Sequence, residues 1–211
     1  ISADAPLLLA ASTHSPEEKW LIEAFREVWK SSSENLPRLM IAPRHPERFA
    51  EVADAIKASG FSWVRRSEKP SGRDKTAEII LLDTIGELRS AYSLAEIVFV
   101  GGSLVPHGGQ SIYEPAAAGR AIVTGPNTAN FTAAVTEFLN RNALIQLEKT
   151  SDQAVVGRLA DEFRLLLSDP TMRKRLGDNA LAVMNANRGA VERTIDYLAP
   201  LFASKRRSRY R

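Results

Sequence analysis

The chain contains no cysteine, which excludes disulfides and thiolate metal sites and fits a reducing compartment. It also lacks any apolar run near the roughly 18 residues that a membrane-spanning helix needs. The longest such runs, at residues 7–11 and 79–82, are strand-sized. No basic segment precedes a long apolar one, so no secretory signal peptide is expected. A basic groove is missing too. The net charge is +3, but Lys205, Arg206, Arg207, Arg209 and Arg211 fall in the last seven residues, and removing those five leaves the rest at −2. No nucleic-acid partner is therefore expected. Residues 204–211 read as a frayed, solvated tail, with contact to an anionic membrane surface as the alternative. The chain opens Ile1-Ser2-Ala3-Asp4, without Met and directly before a strand; a partner domain upstream is the expectation.

What is present is an ordinary globular composition, 211 residues with 44% hydrophobic and 25% charged. Strand-like and helix-like patterns alternate along it. The uninterrupted apolar run at 7–11 is of the kind that buried parallel strands show. Ser15 then precedes Pro16, Glu17 and Glu18, all favoured in a first helical turn, and Trp20, Leu21, Ala24, Phe25 and Val28 recur at helical spacing. Further strands are expected at 38–42, 61–65, 78–82, 97–100, 121–123 and 144–145. Helices are expected at 47–58, 85–92, 112–118 and 129–140, and three more at 152–167, 171–186 and 190–202. Residues 69–75 read as an exposed loop. Trp20, Trp29, Phe25 and Phe49 read as core residues. The alternation predicts an α/β fold, a Rossmann-like doubly wound parallel sheet with helices on both faces, in one domain over residues 1–203.

Ligands of such sheets bind beyond the carboxyl ends of the strands, and polar or glycine residues crowd the loops expected there. Gly108-Gly109-Gln110-Ser111 precedes a helix, so backbone N–H groups can approach an anion closely beside a positive helix start. A tight loop capped by Ser111 explains the same residues. Glu114 complements that helix dipole or accepts bonds from two ribose hydroxyls. Arg44 and His45 could meet an anion, but on the residues alone a Pro turn with a solvated Arg is the stronger reading. Thr84 and Glu87 form a capping-box pattern. His14 reads as a loop hydrogen-bonding residue. His14, His45 and His107 have no ligand-like spacing, so no metal site is expected.

Six ordered motifs carry a resemblance: Ala10-Ala11-Ser12-Thr13-His14 with Glu17-Glu18; Pro43-Arg44-His45-Pro46-Glu47-Arg48-Phe49; Asp83-Thr84-Ile85-Gly86-Glu87-Leu88; Phe99-Val100-Gly101-Gly102-Ser103-Leu104; Gly108-Gly109-Gln110 with Glu114-Pro115-Ala116; and Gly125-Pro126 with Asn130-Phe131. Over nearly its whole length the chain resembles the carboxyl-terminal half of bacterial Kdo (3-deoxy-D-manno-octulosonic acid) transferases, whose GT-B architecture faces two Rossmann-like domains. The resemblance implies a domain that holds the donor CMP-Kdo. Ser12 and Thr13 would line the cleft, and Arg44 and His45 would face the cytidylate. Ile85, Gly86 and Glu87 would border the base. Gly108, Gly109, Gln110 and the helix after them would hold the phosphate, and Glu114 the ribose. Ser111-Ile112-Tyr113 stands where the family usually has Asn-Pro-Leu, so the Asn contact is lost or passes to Ser111.

The resemblance further implies an inverting, metal-independent transfer of Kdo to a lipid A precursor, without cofactor, at the cytoplasmic face of the bacterial inner membrane. The family's base is a Glu of the amino-terminal domain, which also supplies the acceptor surface, so this chain alone is expected to be inactive. Two other readings share these residues: the donor domain of a GT-B enzyme using a UDP-sugar, and a non-catalytic nucleotide-binding module.

Overall fold

The apolar run at residues 7–11 lies in the middle of a seven-stranded, all-parallel sheet in the computed structural model, which describes residues 5–31 and 36–207. The elements run β1 (Leu7–Thr13), α1 (Glu17–Ser31), β2 (Arg38–Pro43), α2 (Phe49–Ser59), β3 (Trp63–Arg65), β4 (Ile79–Leu81), α3 (Leu88–Tyr92), β5 (Ile97–Val100), α4 (Tyr113–Ala117), β6 (Ala121–Thr124), α5 (Thr132–Asn140), β7 (Ile145–Gln146), α6 (Asp152–Ser168) and α7 (Pro170–Arg207). The sheet order is β3-β4-β2-β1-β5-β6-β7.

Strand periodicity divides the apolar residues between two cores, one on each face of the sheet. Leu8 and Ala10 of β1 face a cluster built with Leu21, Phe25 and Val28 of α1, Ile56 of α2 and Leu159 and Phe163 of α6. Leu7, Leu9 and Ala11 face the opposite cluster, which includes Tyr92, Ile112, Ala116, Phe138, Ala180 and Val183. Both faces of β1 are covered, so its sequence has no polar alternation. Trp20 and Trp29 pack on the rim of the first core, whereas Phe49, expected inside, is half-buried at the start of α2.

Three local expectations are corrected. Residues 69–75 contain a 3-10 turn, Gly72–Lys75, closed by a capping box between Ser71 and Asp74. Buried Arg38 secures this crossover by donating to the carbonyls of Ala77 at 2.7 Å and Asp74 at 2.6 Å. The helix expected at 85–92 begins only at Leu88: Thr84 spends its hydroxyl on the Glu87 carboxylate, so no capping box forms. The helices expected at 171–186 and 190–202 are one continuous α7. Asn187-Arg188-Gly189 contains no proline, and one interior glycine costs only about 1 kcal/mol, too little to break a helix. The basic stretch expected as a tail begins in the last turn of α7, and residues 208–211 lie outside the described residues.

Gly177 explains how α7 packs against the sheet. A Cβ built there would overlap the carbonyl oxygen of Gly119, in the turn between α4 and β6. Helix propensity alone makes Gly→Ala worth up to about 1 kcal/mol of added stability. The contact reverses that sign. Gly177→Ala is expected to destabilise by about 1–3 kcal/mol, measured by denaturant unfolding; a gain would contradict the packing.

Candidate functional site

From β1 the sheet grows outward in two directions, through β2, β4 and β3 on one side and β5, β6 and β7 on the other. The crevice at such a switch point is where doubly wound sheets bind ligands. Here it lies between the loops that follow β1 and β5. Ser12 adopts a left-handed φ of 54°, and the β1–β2 register shifts between Ala11 and Thr13. The β5 loop approaches closely: a Cβ on Gly101 would sit 2.6 Å from the Ser12 carbonyl oxygen and 2.7 Å from Thr13 Cα. Only glycine fits there without moving backbone.

Glu17 joins the two loops. Its side chain, from the first turn of α1, is completely buried. Oε2 accepts from the backbone N–H groups of His14 at 2.9 Å and Gly102 at 2.7 Å. Oε1 accepts from those of Ser103 at 3.0 Å and Leu104 at 2.9 Å. Burial pushes its carboxyl pKa up, against the four amide bonds that pull it down. Sequence alone assigns Glu17 to helix-dipole complementarity; its partners more than 80 residues away were not legible.

Glu18, next along α1, takes Thr13 and Arg48 as partners. The Thr13 hydroxyl donates to it at 2.7 Å, and Arg48 donates through both terminal nitrogens at 2.7 and 3.0 Å. Thr13 is wholly buried, so its side chain supports the cleft floor rather than lining it. The Glu18 hydrogen bond is the main cause pushing the Arg48 guanidinium pKa still higher, and the bidentate geometry ties the start of α2 to α1.

The glycine-rich loop closes the rim. Gly108 and Gly109 take φ of 84° and 78°. Gly109 donates its N–H to the Gly102 carbonyl at 2.8 Å. Asn130 straps the loop, donating from its backbone to Gly108 and from its side chain to the His107 carbonyl. The N–H groups of Gly108, Gln110, Ser111 and Ile112 have no acceptor among the described residues. This amends the phosphate assignment: the Gly109 amide is already committed, and the free donors lie at 108 and 110–112. The following helix, α4, is only five residues long and has no side-chain cap, so individual loop amides rather than a helix dipole supply the positive potential. Ser111 merely accepts from Tyr113 N–H at 3.4 Å.

Three histidines separated in sequence meet here. The His14 ring stacks on His107 with centroids 4.3 Å apart and meets His45 edge-on at 5.3 Å. His14 Nε2 lies 3.2 Å from Gln110 Nε2. Among the described residues no group of His, Cys, Asp or Glu is arranged to hold a metal ion. Burial, reinforced by the neighbouring His107 and His45, lowers the His14 pKa to about 4. A neutral His14 accepts at Nε2 from the Gln110 amide. Exposed Arg44 follows β2, its N–H bonded to the Thr13 carbonyl at 3.0 Å and its guanidinium without an ion-pair partner among the described residues.

Arg44, His45, His14, Ser12 and Gln110 are thus brought to adjacent strand ends. Other expected residues lie further out. Ile85 is 83% exposed and Gly86 has φ of 90°. Glu87 is paired with Arg66 at 2.8 Å and lines a cavity of about 310 Å³ together with Met40, Ile80 and Leu82. Exposed Glu114 lies near Tyr92, where its charge adds to burial in raising the phenol pKa.

A seven-stranded parallel sheet with a helical core on each face and polar loops gathered at its switch point defines the class: a Rossmann-like half of a GT-B fold. Comparison with known proteins gives the family. The chain is 36% identical over 93% of its length to the 3-deoxy-D-manno-octulosonic acid transferase of Haemophilus influenzae, and 33% identical over 92% to that of Bordetella pertussis. It spans 44% of the length of each. The crystal structure of the C-terminal CMP-Kdo binding domain of WaaA from Acinetobacter baumannii superimposes with a TM-score of 0.77 at 32% identity, covering 86% of this chain and 90% of that one. No family model matches. The chain belongs to the Kdo transferase family. No helix among its described residues is long and apolar enough to cross a membrane.

His14 generates a prediction. Its folded pKa lies below the ordinary value of 6.5, so protonation favours the unfolded chain, and its contribution is lost as pH falls from about 6.5 towards 4. NMR titration of the ring should place His14 near 4; a midpoint near 6.5 would contradict the buried, neutral assignment.

Proposed function

We propose that this chain is the donor-binding domain of a Kdo transferase and binds CMP-Kdo at the switch point. The observation that carries this reading is the set of backbone donors at Gly108, Gln110, Ser111 and Ile112 without an acceptor among the described residues, on a face whose strand ends also carry Arg44, which has no ion-pair partner among them. A phosphate needs donors of this kind without prior commitments. Exposed Glu114, five residues beyond Gly109, takes the ribose hydroxyls, and His45 joins Arg44 in facing the anionic cytidylate. Ser12 contributes to the cleft wall. Ile85, Gly86 and Glu87 border the base.

In the transfer, the bond between the anomeric carbon and the CMP oxygen breaks, and charge builds on the departing phosphate. Donors fixed in place beforehand stabilise that charge without reorganising. Arg44 and the loop amides fill this role, and neutral His14 holds Gln110 beside them. A base must take the acceptor hydroxyl's proton. In this reading that base is a Glu of an amino-terminal domain, which also carries the lipid A precursor site and works at the cytoplasmic membrane face. The whole protein transfers Kdo with inversion and without a metal; this domain alone does not.

Thermal unfolding with CMP tests the reading. At a hundredfold excess over Kd, binding adds about 2.7 kcal/mol, raising Tm by roughly 5–10 °C for a chain this size. Arg44→Ala removes a charged hydrogen bond of about 1.5–3 kcal/mol, so CMP affinity falls roughly 10–100-fold. No shift with CMP, or a larger shift with UDP, overturns the assignment; the UDP result favours a UDP-sugar donor.

A further inference from the structure

The residues proposed to touch the nucleotide depend on a side chain that touches nothing outside the protein. Glu17 Oε2 accepts from His14 N–H and Gly102 N–H. The Gly102 carbonyl in turn accepts from Gly109 N–H. Gln110, next in sequence, returns to His14 through its side chain. These contacts close a ring that passes through two strand ends and the glycine-rich loop. Oε1 extends the control to the third strand end. It holds Ser103 N–H, and Ser103 accepts from Gly125 N–H through its hydroxyl and from Asn127 through its carbonyl.

We infer that Glu17 is a positioning residue for the phosphate receptacle, its ionised carboxylate serving as a built-in anion that fills the amide nest after β5 and sets the glycine-rich loop. The inference rests on the donor-binding reading above. Each carboxylate oxygen has two N–H donors and no acceptor is present for a carboxyl proton among its hydrogen bonds, so the arrangement selects the charged form. The filled nest also has a directing effect. Successive N–H groups of residues 102–104 form an anion-binding concavity, and with Glu17 in it a substrate phosphate is turned away towards 110–112. An isosteric amide fails there, because its NH2 group faces two N–H donors.

The test compares wild type, Glu17→Gln, Glu17→Asp and, as a control, Phe163→Leu in the core against α6's own sheet face, where Phe163 is 2% exposed. CMP binding is measured by calorimetry, and amide shifts by 1H–15N NMR without ligand. E17Q is expected to weaken CMP at least tenfold and to shift the amides of Gly109, Gln110 and Ser111 as well as 102–104. E17D, which keeps the charge, is expected to recover part of the affinity, and F163L to bind within twofold of wild type. Wild-type affinity in E17Q overturns the positioning role. So does an affinity loss in F163L matching that of E17Q, because the effect is then general destabilisation. If E17Q does not fold, E17D carries the test, and unchanged CMP affinity in it overturns the inference. Absence of CMP binding in wild type overturns the donor reading instead. The ligand-free shifts then decide separately: propagation to 109–111 supports the positioning role, and confinement to 102–104 ends it.

Discussion

One buried carboxylate holds the functional end of this domain together. Glu17 is removed from water, which penalises its charge, and the compensation is four backbone N–H donors that would themselves be unsatisfied without it. Carboxylate and amides are each costly to bury alone and stable together. The arrangement explains several otherwise separate features. Gly101 must lack a side chain because a Cβ there would meet Ser12, Thr13 and Glu17 at once. Ser12 takes a left-handed turn so that β1 can deliver His14 to the carboxylate. Glu18, one residue later, ties the same helix start to Arg48 and Thr13, so consecutive acids brace different partners.

With the nest after β5 filled, the available positive potential moves outward. It resides in amides at 108 and 110–112 that have no acceptor among the described residues, and in Arg44. His14 adds no charge at neutral pH, because burial and two neighbouring imidazoles keep it neutral. It acts as an acceptor that orients Gln110. A rim of this kind suits a phosphate held by directional hydrogen bonds and one strong cation, which is what the proposed departure of CMP demands. The chain spans 44% of its Haemophilus relative, and chemistry assigned to the other half is proposed for the whole protein.

The fold was largely legible because its signals are local. An uninterrupted apolar strand, helices with one apolar face and polar or glycine residues in the loops at the strand ends are enough to imply a doubly wound sheet. Helix ends were less legible. Thr84 and Glu87 have the spacing of a capping box, but their side chains bond each other, and Arg66, in the turn after β3, claims the carboxylate. Gly189 looked like a helix stop and is not one, while Gly177, unremarked in sequence, permits the close approach of α7 to Gly119. Of the candidate site, the loops and Arg44 were proposed from composition and family resemblance. The Glu17 clamp, the commitment of the Gly109 amide and the meeting of His14, His45 and His107 depend on contacts between residues far apart in sequence, for which no local pattern exists.

The most direct test of the account follows individual backbone amides while CMP is added. Nitrogen-15 NMR of the intact chain should show large, saturable shifts at Gln110, Ser111 and Ile112, with Gly102, Ser103 and Leu104 nearly still because Glu17 already occupies them. The reverse pattern, with the 102–104 amides moving and 110–112 unchanged, would mean that the phosphate displaces the carboxylate and would contradict a receptacle at 110–112.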